Sequence, residues 1–287
     1  MNQSELVRWN KKGLIPGPGE NEVDFLRRVA FCEGLKDQLN GDVLPADRLD
    51  GGQAFLEGAL TVTEHLYDIR PDWVPLFFSN WKLLPWHGGS AWIFQLEKEG
   101  PLGAVLQLRK AFYHQERYLR LYHRDELIGH EMAHAARMAF EEKKYEEIFA
   151  YKTSKKGLSA RLGPILQSSI ESKWFVFLLS TLLLLDLFLL LMGSWDAYFA
   201  FQPLKVIPLL LVVYGAYRLN KRKRLLKKAE ESVASLIGNE KARFVLFRLK
   251  DKEIEQFAAF TPEQILAYVQ SEDSPRIQMI RAAYFSE

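Results

Sequence analysis

His130-Glu131-Met132-Ala133-His134 reads H-E-x-x-H, and it lies in a stretch where Leu127, Ile128, Met132 and Ala135 recur at helical spacing. Residues four apart on a helix sit one above the other, so both imidazoles can reach one ion from the same face. Zn²⁺ is the ion best suited to neutral imidazoles in an open hydrolytic site. Glu131 then falls beside the metal, placed to take a proton from an activated water. Asp125 is expected to cap this helix, which should run from about Glu126 to Phe140.

Upstream, Gly13-Leu14-Ile15-Pro16-Gly17-Pro18-Gly19 is a turn-rich opener, followed by an amphipathic helix within Glu20 to Leu39. Gly51-Gly52 separates that helix from a second apolar run, Ala54 to Leu66. Ser90 to Glu97 and Gly103 to Lys110 predict two strands joined across Gly100-Pro101, so a small antiparallel sheet precedes the H-E-x-x-H helix. Downstream, Phe140 to Lys144 reads as a helix end and turn, and Tyr145 to Tyr151 as a second helix. A helix returning past the first can present a carboxylate to the metal, from Glu146 or Glu147.

In these residues the chain resembles the gluzincins, zinc metallopeptidases in which the helix after H-E-x-x-H supplies a glutamate. That glutamate often stands in an E-x-x-A pattern, which Glu147-Ile148-Phe149-Ala150 matches, so the resemblance implies His130, His134 and Glu147 as metal ligands and Glu131 as the catalytic base. It covers about 125 to 151 in motif and 75 to 155 in architecture. It implies a peptide or protein substrate, whose extended backbone pairs with an edge strand within Gly103 to Lys110. There are two departures from the family. Only twelve residues separate His134 from Glu147, which demands a tight turn or a ligand elsewhere, and Tyr151 stands where several families place an acidic partner for a histidine.

Trp174 to Met192 is nineteen residues with one charge, Asp186, long enough to cross a bilayer. Leu204 to Leu219 is a weaker second span, interrupted by Pro208 and flanked by Lys205 and Arg218, which can snorkel. Asp186 is expected to pair with the second helix. The connecting segment, Gly193 to Gln202, carries Trp195, Tyr198 and Phe199 and no Lys or Arg. The outer flanks are basic: Lys152, Lys155, Lys156, Arg161 and Lys173 on one side, the run Lys221 to Lys228 on the other. The positive-inside rule therefore puts both termini and the active site in the cytoplasm, and the protein is expected in a bacterial inner membrane. The run 221 to 228 reads as an anchor to anionic lipid heads rather than a nucleic-acid site. Thr261-Pro262-Glu263 marks a helix start in a helical C-terminal region.

The chain has 287 residues, a formal charge of +2 and one cysteine, Cys32. This composition excludes disorder, an intramolecular disulfide and an overall nucleic-acid footprint. Met1 to Lys12 lacks the apolar core of a signal peptide. The expected fold is α+β: a zincin-like domain over 1–172, a transmembrane hairpin over 173–220, and a basic juxtamembrane run with helices over 221–287. The motif helix carries Arg124, Asp125, Glu126 and Arg137, too polar for lipid, so an intramembrane protease of the site-2 kind is excluded. Two functions fit: a membrane-anchored zinc metallopeptidase, or a membrane-hairpin adaptor with a structural or degenerate metal site.

Overall fold

The computed structural model describes residues 1–39, 45–119, 122–154, 163–167 and 169–285; Lys155, Lys156 and Arg161 of the basic flank lie outside them. The N-terminal helices are α1 (Gln3–Lys11), α2 (Glu22–Glu33), α3 (Leu35–Gln38) and α4 (Glu57–Tyr67). Strands β1 (Leu49–Gly51), β2 (Leu76–Phe78), β3 (Gly89–Gln95) and β4 (Leu102–Leu108) build the sheet. A short α5 (Ala111–His114) and the two-residue strands β5 (Arg117–Tyr118) and β6 (Tyr122–His123) lead into α6 (Arg124–Ala136) and α7 (Glu146–Lys152). Then come α8 (Ser169–Leu191), α9 (Trp195–Phe201) and α10 (Val206–Ile237). Four shorter helices close the chain: α11 (Asn239–Phe247), α12 (Asp251–Phe257), α13 (Pro262–Ser271) and α14 (Pro275–Ile280).

The strands at Ser90 and Gly103 pair antiparallel as expected, with Trp92 opposite Val105. The sheet itself is mixed rather than antiparallel. Its order is β1-β2-β4-β3, and β2 runs parallel to β4. Leu76-Phe77-Phe78 is too short and too uniformly apolar to show a period of two, and its partner lies beyond the whole of β3. β4 is therefore interior, paired on both edges, and cannot accept a substrate strand; among the described residues the edge strands are β1 and β3. Successive strand residues face opposite sides, and β4 is buried from Gly103 through Leu108, so both its faces are covered. Gly103 lets α2 approach closely, because a Cβ there would stand 2.7 Å from the Phe31 ring.

The motif helix starts and ends earlier than its apolar pattern suggests. β6 feeds directly into α6 at Arg124, so Asp125 lies in the first turn rather than at the cap, where His123 makes no side-chain capping bond. There Asp125 complements the helix dipole. Thr261, by contrast, caps α13 as read: its backbone N–H donates to Gln264 at 2.9 Å, and Pro262 takes the first helical position.

Two helices are long and apolar enough to cross a membrane, Ile170–Leu191 and a stretch of Trp195–Ile237. Pro208 does not break the second. It falls in the first turn of α10, where its missing N–H is no loss, and the helix continues for 32 residues. Asp186 pairs with Lys205 at 2.7 Å, in the turn before α10. Arg218 grips Glu171 through both nitrogens, at 3.1 and 2.7 Å. Neither base is thus left simply to snorkel. Within the basic run, Lys221, Arg224, Lys227 and Lys228 are exposed, whereas Arg222 is buried and donates to the carbonyls of Lys144 (2.7 Å) and Pro164 (2.9 Å).

Beyond its apolar stretch, α10 becomes a core helix, burying Leu226, Ala229 and Val233. The C-terminal helices pack back onto the N-terminal ones, and one apolar cluster runs from Leu6 to Tyr284. Buried Arg248 donates to Asn10 and, at 2.9 Å, to the Tyr67 carbonyl. Buried Arg276 holds Glu253 with bonds of 2.8 and 2.7 Å. Burial works against the Glu253 carboxylate, but Arg276 and its hydrogen bonds keep it below the usual range. A depressed carboxyl stabilises the fold above its unfolded value, about 4.3, and that stability is lost as pH falls through the folded value. Melting temperature of the purified protein is therefore expected to drop as the medium is acidified below about pH 4.3. A Glu253→Gln/Arg276→Met double variant should lose part of that acid sensitivity; an unchanged pH profile would argue against the assignment.

Candidate metal centre

His130 and His134 project from one face of α6, their ring centroids 4.9 Å apart. The chain then reverses within Arg137 to Tyr145, with Phe140 donating its N–H back to the Arg137 carbonyl at 2.9 Å and Glu141 in the left-handed region at φ 53°. The tight turn demanded by the short link is therefore made. α7 returns against α6, where Thr153 at its end lies over Gly129; a Cβ at Gly129 would meet that side chain at 3.3 Å.

Glu147 comes within 3.8 Å of both His130 Nε2 and His134 Nε2, through its two oxygens. One ligand atom each from His130, His134 and Glu147 lie within 4.8 Å of one another. Glu146 is not the third member of this group: its Oε1 accepts from His134 Nδ1 at 3.0 Å and its Oε2 from Arg137 Nε at 2.7 Å. A carboxylate only accepts, so Nδ1 carries the proton and Nε2 is the atom turned toward His130, 3.2 Å away. In a tetrahedral zinc site with Zn–N near 2.0–2.1 Å, neighbouring nitrogens stand roughly 3.3 Å apart. The donor set and its spacing fit a divalent ion with one coordination position left for water or substrate.

Burial pushes His134 down, but the hydrogen bond and charge of Glu146, with Glu147 and Glu131, carry it up to about 9. His130 is held well below its ordinary value by burial and by the neighbouring His134 charge. Burial raises both Glu147 and Glu131. The carboxylates that hold a proton on His134 equally favour a metal cation between the rings.

Glu131 is buried, and its Oε2 accepts the backbone N–H of Ala91 at 2.7 Å. This ties Glu131 to the edge strand β3, a link no side-chain pattern announces. Arg137, one turn beyond His134, is a salt-bridge partner of Glu146, and it reaches further than the sequence shows. Its guanidinium donates to the carbonyls of Phe247 and Leu249 and lies over the rings of Phe140 (4.2 Å) and Phe149 (5.1 Å). Tyr151, in place of an acid, sets its ring edge-on to His130 at 4.6 Å. Glu146 supplies the acidic support that Tyr151 cannot.

No family model, curated protein or solved structure matches this chain. The site stands on its geometry. It opens into a cleft of about 820 Å³ lined by His87, Ala91, Ile93, Glu131, Tyr151 and Leu166, among others. His87 thus sits at the mouth of the cleft, although its sequence spacing gave no sign of it; His65 and His114 do not line it.

Proposed function

We propose that this protein is a membrane-anchored zinc metallopeptidase of zincin-like fold, with His130, His134 and Glu147 as metal ligands. The observation that carries the reading is the convergence of three ligand atoms within 4.8 Å beside a buried glutamate. Bound Zn²⁺ would supply Lewis-acid chemistry, polarising a scissile carbonyl and acidifying a water. Glu131 takes the proton of the attacking water and later hands it to the leaving amine. Its burial raises its basicity, and the Ala91 N–H fixes one oxygen, leaving the other for the proton. Tyr151 is pushed by burial to about 12, so it remains protonated at neutral pH and can donate to a developing oxyanion. The free edge of β3 borders the cleft and can pair with an extended peptide backbone.

Ser172, in the first turn of α8, lines this cleft, and the basic flanks favour a cytoplasmic active site near the bilayer. The test is metal analysis of the detergent-purified protein. About one zinc per chain is expected, lost in His130→Ala; wild-type protein that binds no metal would end this reading.

A further inference from the structure

Between β2 and β3 the chain runs Ser79-Asn80-Trp81-Lys82-Leu83-Leu84-Pro85-Trp86-His87-Gly88. Trp81, Leu84 and Trp86 are 45%, 47% and 52% exposed. Large apolar side chains gathered on one exposed loop mark a surface with a partner.

The loop is rigidly built. Gln107 donates to the carbonyls of Ser79 (3.0 Å) and Trp81 (2.9 Å), Arg109 to those of Leu84 and His87 (3.0 Å), and the Tyr118 hydroxyl to that of Pro85 (2.7 Å). Backbone carbonyls are thus satisfied from the protein side while apolar side chains face outward. A segment entering a water-poor zone needs this arrangement, because an unpaired carbonyl there is costly. Lys82 lays its ammonium over the Trp81 ring at 4.0 Å, so its stem adds to the apolar surface while its charge can stay at headgroup level.

Position identifies the partner. His87, at the end of the loop, and Ser172, in the first turn of α8, line the same cleft. Ser172 lies at the start of the apolar stretch Ile170–Leu191, between the exposed side chains of Ile170 and Trp174. The loop therefore lies beside the point where α8 enters the bilayer, and Trp is the residue that favours the interfacial layer.

We propose that the Trp81–Trp86 loop is a membrane-docking element that inserts into the interfacial layer of the leaflet at the base of α8 and α10. It would seat the mouth of the metal cleft on the lipid surface. The inference rests on the hairpin spanning the bilayer and is independent of peptidase chemistry.

Cys32 is fully buried and its thiol is pushed up to about 12, so an introduced cysteine is the reactive one. Full-length Leu84→Cys and Trp86→Cys proteins, nitroxide-labelled in phosphatidylcholine–phosphatidylglycerol nanodiscs, report depth by collision with oxygen against a water-soluble nickel chelate. Leu183→Cys in the span and Lys98→Cys in the exposed β3–β4 turn calibrate the two extremes. The expected result is an oxygen-to-nickel ratio at positions 84 and 86 several-fold above that at 98 and below that at 183. Ratios equal to that at 98, with 183 in lipid, overturn the docking loop while leaving the hairpin intact. An aqueous label at 183 overturns both.

Discussion

Replacing Glu131 with Gln is expected to leave zinc content at wild-type level while lowering peptide hydrolysis by about 10²–10⁴-fold, the usual contribution of a positioned general base. The two properties separate because Glu131 is not among the three converging ligand atoms. Gln retains an acceptor for the Ala91 N–H that now binds Oε2, so the fold around β3 should survive. What Gln lacks is basicity. Turnover of a quenched peptide library by the metal-loaded variant and wild type, paired with metal analysis, is the measurement. Undiminished hydrolysis would remove Glu131 from the chemistry, while loss of zinc would make it structural. Hydrolysis by wild type that vanishes in the zinc-loaded variant would equally dispose of the adaptor reading.

Arg137→Met is expected to have the largest effect on stability, about 3–5 kcal/mol, because it removes a fully buried guanidinium that pairs with half-buried Glu146 and leaves the Phe247 and Leu249 carbonyls without their donor. The damage should reach the metal as well. Glu146 would be free to protonate or swing away, and His134 would lose the partner that fixes its tautomer, with about 10–100-fold weaker metal binding. Glu146→Gln should show the affinity loss with a smaller loss of melting temperature, since the amide oxygen can still accept from Arg137, whose guanidinium keeps the Phe247 and Leu249 carbonyls. Thermal denaturation and competition with a zinc chelator check both; an Arg137→Met protein matching wild type in each would refute the coupling.

The local features of the chain were legible and the long-range ones were not. Helix periodicity and the Thr261-Pro262 start are written in consecutive residues, and so are the two apolar spans. The pairing of His130 and His134 follows from helix pitch alone. The parallel β2–β4 pairing joins Leu76 to Leu106 across an intervening strand, so no local pattern encodes it or shows that β4 is interior rather than an edge. α6 starts at Arg124 because β6 hands over to it without a break, a tertiary choice that overrides Asp125 as a cap. Glu146 and Glu147 could be ranked only by resemblance. The physical distinction between them is rotational: neighbouring helix positions diverge by about 100°, so Glu147 faces the two Nε2 atoms and Glu146 faces His134 Nδ1 and Arg137.

Arg137 waits for carbonyls that lie far ahead of it in the chain, the furthest of them 112 residues later at Leu249. At about 5–20 residues per second of synthesis, the nascent site spends on the order of 10 s without the support of those carbonyls. Every proposed ligand has been made by then, yet the Arg137–Glu146–His134 relay is fully anchored only once both spans and the first C-terminal helix have followed. The order of residues along the chain thus acts as a timer. Under the proposed function, the His130–His134–Glu147 group matures last, after the two apolar helices that would anchor it.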